Sequence, residues 1–174
     1  MSVELKLKEN QKLLFDSAKN FDLSHGKVAK LDTEDWREFC IEKRSDLSFY
    51  EQNWVNFFVK DQAGVNRKMI NNQEMSDILS DKNILNVFYF EVWGSVLEHK
   101  DPCGEIYSYP KNEYKTLLMP ISIPSDNFQT FYNRKPVNLQ EGKFYQWDVS
   151  NIPHSWTFDY TGEKFKLLHI DYIE

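Results

Sequence analysis

From Ile84 to the end, the chain is written as short runs of β-branched and aromatic residues, each closed by turn chemistry and none long enough for more than one pass across a sheet. Residues 86–93 read Asn-Val-Phe-Tyr-Phe-Glu-Val-Trp, and residues 114–123 form a second run stopped by Pro124. Further strands are expected at 128–132, 143–147, 155–160 and 164–172. Many short strands at this spacing bury their apolar faces by stacking two sheets, so the pattern points to a sandwich or jelly roll.

The first eighty residues have a different character and read mostly helical. Thr33 precedes an acidic turn, and Trp36, Phe39 and Cys40 recur at helical spacing within residues 33–43. A second helix is expected over 49–59. A third is expected over 67–79, where Met69, Ile70, Met75 and Ile78 can share one apolar side. No internal repeat or long linker interrupts the chain. Its 174 residues suit one domain, 1–174, with a mostly helical support region (1–82) and a β core (83–174).

Composition narrows the function classes. A formal net charge of −6 offers no basic footprint, so a nucleic-acid partner is unlikely on electrostatic grounds. The two cysteines, Cys40 and Cys103, are far apart and show no metal-type spacing, which suits a reducing compartment. Residues 2–8 alternate apolar and charged side chains, so no signal peptide, membrane span or other membrane association is expected. A soluble, cytoplasmic protein is the expectation. Aromatic residues make up 16% of the chain and are assigned first to a bulky core, and only secondarily to a pocket.

One constellation carries chemistry. His99 and Asp101 are separated by Lys100, and His154 follows 55 residues after His99. In an extended strand, side chains two apart share a face, so His99 and Asp101 can point at one ion while Lys100 points away. Two imidazoles and one carboxylate form the facial ligand set of non-haem Fe(II) oxygenases, which leaves open coordination positions. If Thr161-Gly162 turns the last hairpin, Thr157 lies opposite Lys166 and His154 lies near His169. Lys166 then serves as an arm for an anion beside the metal, with Lys164 as second choice. The same alternation points His169 away from the metal face.

The segments 93–102, 117–124, 141–156 and 165–171 together resemble the core of the 2-oxoglutarate and Fe(II)-dependent oxygenases. They are closest in flavour to the aspartyl/asparaginyl β-hydroxylase branch, with its strand ending in Ile-Pro, its Glu-Gly turn and its aromatic-Asp step before the distal histidine. The carboxylate at Asp101 and a Lys in place of Arg are more similar to the prolyl-hydroxylase-like pattern. The resemblance covers residues 92–171. It implies a mainly β fold, a double-stranded β-helix of cupin-like jelly-roll form buttressed by N-terminal helices.

The resemblance further implies Fe(II) held by His99, Asp101 and His154, with 2-oxoglutarate and O2 as co-substrates and ascorbate as an accessory reductant. Lys166 or Lys164 would pair with the far carboxylate of 2-oxoglutarate, and Thr157 would complete its hydrogen bonds. The implied reaction hydroxylates a C–H bond of an amino acid, a peptide or protein side chain, or another small molecule, releasing succinate and CO2. Two other readings stand beside it. One is a cupin-type metal enzyme without 2-oxoglutarate, since Gly94 precedes His99 by five residues as in a cupin opening. The other is a non-enzymatic β-sandwich binding module.

Overall fold

The computed structural model describes residues 2–29, 54–101, 113–125 and 127–174. The helix expected over residues 33–43 lies outside them. Ser2 opens helix α1 (Val3–Glu9) by accepting a hydrogen bond from the Leu5 amide, and α2 (Gln11–Ala18) follows directly. Strands β1 (Lys27–Ala29), β2 (Trp54–Asp61) and β3 (Gly64–Val65) precede helix α3 (Gln73–Leu79). The remainder is all strand: β4 (Ile84–Val92), β5 (Val96–His99), β6 (Lys115–Ser122), β7 (Gln129–Tyr132), β8 (Lys135–Val137), β9 (Tyr145–Trp147), β10 (His154–Thr157) and β11 (Phe165–Tyr172).

These strands form two antiparallel sheets. The larger runs β1-β2-β4-β11-β6-β9 with β3 on the flank of β2, and the smaller runs β5-β10-β7-β8. From β4 onward the chain steps to the other sheet at every connection except the β7–β8 hairpin. That order is the eight-stranded jelly roll, or double-stranded β-helix, so the fold is mainly β with a few helices.

The large sheet is buried on both faces. Its outer face carries Val87, Tyr89, Leu117, Met119, Leu168 and Ile170, packed with Val3, Leu7 and Leu14 of the helices. Its inner face carries Val92, Leu118, Phe165 and Leu167, packed with Val96 and Trp156 of the small sheet. Central strand β11 is therefore apolar on both sides, with Phe165, Leu168 and Ile170 fully buried. Each such side chain contributes roughly 1.5–3 kcal/mol of burial free energy.

Three expectations change in the structure. Where a helix was expected over residues 49–59, residues from 54 on form β2. The run Trp-Val-Asn-Phe-Phe-Val favours a pleated surface, and it pairs with β4 from Trp54 opposite Val92 onward. The helix expected over residues 67–79 begins only at Gln73. Asn72 caps it by accepting from the Met75 amide, and Asn66 holds the preceding turn by accepting from Met69. The last hairpin does not exist: β10 pairs with β5 and β7, whereas β11 pairs with β4 and β6, so residues 158–164 cross between sheets. Thr157 faces Gln129 instead of Lys166.

Candidate metal centre

The centre lies where β5 and β10 meet. His99 is the last residue of β5 and His154 the first of β10, and the two are cross-strand partners. Val96 pairs with Trp156, so three steps along β5 match two along β10. This extra residue is a bulge, and it lets Val96 and His99 both face the space between the sheets, which strict alternation forbids. Leu97 is left exposed at 41%. Asp101 follows two residues after His99, and its amide donates to the Val149 carbonyl at 2.8 Å, which ties the strand exit to the segment before β10.

The three side chains converge. Asp101 Oδ1 lies 3.2 Å from Nε2 of both His99 and His154, and all three donor atoms lie within 4.8 Å of one another. His99 Nδ1 donates to the Leu97 carbonyl at 2.8 Å and His154 Nδ1 donates to the Ile152 carbonyl at 3.2 Å. A carbonyl can only accept, so each ring carries a proton on Nδ1 and points Nε2 at Asp101, where a metal ion would displace any second proton. Such outer hydrogen bonds orient imidazole ligands in metal sites. Two imidazoles and one carboxylate, aimed at one point, fit a divalent transition-metal ion and leave positions for exogenous ligands.

Electrostatics agrees with that role. Burial alone would raise the Asp101 carboxyl, but His154 and His99 beside it hold it far below the usual carboxylate range. Burial, together with the charge of His154, pushes the His99 imidazole below its ordinary value despite Asp101. Both shifts favour the ligating forms. The His154 side chain is 2% exposed and that of Asp101 23%, so the centre is closed on the β10 side and reachable past Asp101. Aromatic rings form the wall around it. The Trp147 and Trp156 rings lie 6.0 and 5.9 Å from the His154 ring, and Tyr132 stacks on Trp147 at 4.6 Å.

The expected anion arm is placed elsewhere. On β11, Phe165, Leu167, His169 and Asp171 face inward, while Lys166, Leu168 and Ile170 share the outer, helix-bearing face. Lys166 lies opposite Glu91 and is paired with it at 3.8 Å, and Lys164 pairs with the same carboxylate at 3.2 Å. Thr157 is exposed, since His154 and Trp156 take the inward positions of β10. Lys166, Lys164 and Thr157 are therefore not brought to the metal cluster. The reason is parity: without the β10–β11 hairpin, nothing aligns Lys166 with the face of His154.

The same parity turns His169 inward, against expectation. It packs edge-on against Phe88 and Phe90, and its Nε2 donates to Asp171 Oδ1 at 2.8 Å. Thr116 Oγ1 donates to the same oxygen at 2.7 Å. Burial opposes the charged imidazole, but Asp171 and the field of Asp101 outweigh it and raise its pKa. His169 is the third imidazole, after His99 and His154, on the inner faces of the two sheets among the described residues. Trp156, Thr130 and Asn86 also point inward. These residues were missed because β11 is apolar on both faces, so its sequence does not tell which row looks in.

No known protein-family profile matches the chain, and no curated protein does. Similarity to solved structures is weak. The polyketide cyclase RemF from Streptomyces resistomycificus aligns over 71% of this chain and 67% of its own, at 11% identity and a TM-score of 0.41. A cupin-2 conserved barrel domain protein from Leptotrichia buccalis aligns over 53% of this chain and 37% of its own, at 22% identity and a TM-score of 0.34. A predicted oxalate decarboxylase from Thermotoga maritima aligns over 69% and 82%, at 14% identity and a TM-score of 0.35. Identities this low concern the fold alone.

Proposed function

We propose that the protein is a mononuclear non-haem Fe(II) enzyme that uses 2-oxoglutarate and O2 to hydroxylate a C–H bond of an amino acid, a peptide side chain or a small metabolite. The observation that carries this reading is the convergence of His99, Asp101 and His154, with both Nδ1 protons held by backbone carbonyls. Two imidazoles and one carboxylate with open positions form the donor set suited to Fe(II) oxygenases. The bound iron, keto acid and O2 supply the oxidation, in which R–H, 2-oxoglutarate and O2 become R–OH, succinate and CO2.

The residues of this chain position and shield. His99 and His154 present Nε2 at fixed positions, and Asp101 supplies negative charge that offsets the charge of the ion. Trp147, Trp156 and Tyr132 keep that side of the cluster dry, which strengthens every polar contact made there. Anaerobic titration of Fe(II) and 2-oxoglutarate tests the reading. The expected result is a visible charge-transfer band of the chelated keto acid in the wild type that is absent in His154→Ala. A folded, iron-loaded protein without the band overturns it.

A second reading, a cupin-type metal enzyme without 2-oxoglutarate, is favoured by one observation. The two lysines expected to hold the co-substrate are paired with Glu91 on the outer face. Metal binding that needs His154, with no keto-acid band, is its signature.

A further inference from the structure

Residues 148–153, Asp-Val-Ser-Asn-Ile-Pro, join β9 to β10 and supply no donor atom to the cluster. Two of the three ligands nevertheless hang on them. The Val149 carbonyl accepts from the Asp101 amide at 2.8 Å, and the Ile152 carbonyl accepts from His154 Nδ1 at 3.2 Å. The 3.2 Å between Asp101 Oδ1 and His154 Nε2 therefore depends on the shape this connection takes.

That shape is fixed from inside and from outside. Inside, Asp148 closes the turn: its carbonyl accepts from the Ile152 amide at 2.9 Å, and its carboxylate accepts from the Asn151 amide at 3.1 Å and from Asn151 Nδ2 at 3.0 Å. An aspartate that accepts from a backbone amide a few residues on is a local turn device. Outside, the end of β7 grips both ends of the connection. Tyr132 Oη accepts from the Asp148 amide at 2.9 Å, and the Asn133 amide donates to the Pro153 carbonyl at 2.9 Å. The Tyr132 ring stacks on Trp147 at 4.6 Å and 22°, which fixes the direction of its hydroxyl, and Tyr132 is itself the cross-strand partner of His154.

We propose that Tyr132 and Asp148 are positioning residues of the metal centre, which hold the 148–153 connection in the shape that aims Asp101 and His154 at one point. The inference rests on the metal-binding part of the reading above and needs neither 2-oxoglutarate nor iron in particular. Tyr132 and Asp148 act through Val149 and Ile152, one hydrogen bond further out than the carbonyls that touch the ligands, as outer partners do in metal sites. The Asp148 and Asn151 side chains are exposed, so changes there leave the packed faces of both sheets intact.

The test is calorimetric titration with Co(II), whose visible d–d absorption also reports ligand geometry, on the wild type and four variants. Tyr132→Phe removes only the hydroxyl, and Asp148→Ala removes the side-chain acceptor. Asp148→Asn keeps an acceptor oxygen in place without the charge. Glu141→Ala is the stability control, because the Glu141 carboxylate accepts from the Ile123 amide at 2.8 Å, a bond of the same kind in a turn that holds no ligand. The expected result is a loss of about five-fold in Co(II) affinity in Tyr132→Phe and in Asp148→Ala, the equivalent of one ordinary hydrogen bond. The absorption band should change in both, while Asp148→Asn and Glu141→Ala keep the wild-type band and an affinity within about two-fold of wild type. Unchanged affinity and band in Tyr132→Phe and Asp148→Ala overturn the inference and leave the metal centre standing. An equal loss in Glu141→Ala also overturns it, because general stability then accounts for the effect. A loss in Asp148→Asn as large as in Asp148→Ala assigns the effect to charge and overturns the role of the turn. No Co(II) binding by the folded wild type overturns the metal centre and the inference together.

Discussion

Asp101 Oδ1 lies 3.2 Å from His154 Nε2 although 53 residues separate the two in the chain. The contact is made by the pairing of β5 with β10 and by the bond from the Asp101 amide to Val149. Asp101→Asn keeps the shape and removes the charge. Its affinity for Co(II) or Mn(II), read by calorimetry, should fall by more than the roughly 10–100-fold typical of losing an outer hydrogen-bond partner. Unchanged affinity would mean that the carboxylate does not ligate.

Lys166 pairs with Glu91 on the outer face, where the lysine retains contact with water and Glu91 is nearly buried. Lys166→Ala should therefore change 2-oxoglutarate affinity by less than two-fold, measured by the same anaerobic titration. Stability should drop by at most about 1 kcal/mol, because Glu91 keeps its closer partner Lys164 at 3.2 Å. A large loss of keto-acid affinity would show that the β11 parity described above is wrong.

His169 is held protonated by Asp171 and Asp101 against the opposing effect of burial, so its folded pKa is above the ordinary histidine value. A raised pKa contributes stability that is full below about pH 6.5 and is lost as pH rises through the folded value. The gap in melting temperature between wild type and His169→Gln should accordingly narrow from pH 6 toward pH 9. A gap that is flat or widens with pH refutes the charged state.

Leu168 is fully buried on the outer face of β11, between the sheet and the helices. Leu168→Ala should cost about 2–5 kcal/mol in denaturant unfolding through lost burial and a residual cavity. Metal affinity should be unaffected while the protein is folded, because the methyl groups removed lie on the opposite side of the sheet from His154. Loss of metal binding in the folded variant would indicate that the two faces are coupled.

Much of this was legible from local chemistry. The β-branched and aromatic runs after Ile84 became β4, β6, β7, β9, β10 and β11 within a few residues, because period-two alternation and turn residues act locally. The spacing of His99 and Asp101 likewise placed them on one side of a strand exit without any knowledge of the rest. β2 was misread as helix because Trp54, Phe57 and Phe58 also satisfy a helical spacing, and only the partner strand β4 separates the two readings.

The composition and spacing of residues in this chain thus determined that it would make short strands, stack them, and carry a His-Asp-His donor set. They could not determine which strand pairs with which, since partner choice depends on residues far apart in sequence. That choice put β10 and β11 in different sheets, turned Lys166 outward and His169 inward, and let a single extra residue in β5 aim His99 at Asp101. A one-residue change of register exchanges every side chain between faces, so the lining of the site was settled by tertiary pairing, while its chemistry was already present in the residue types.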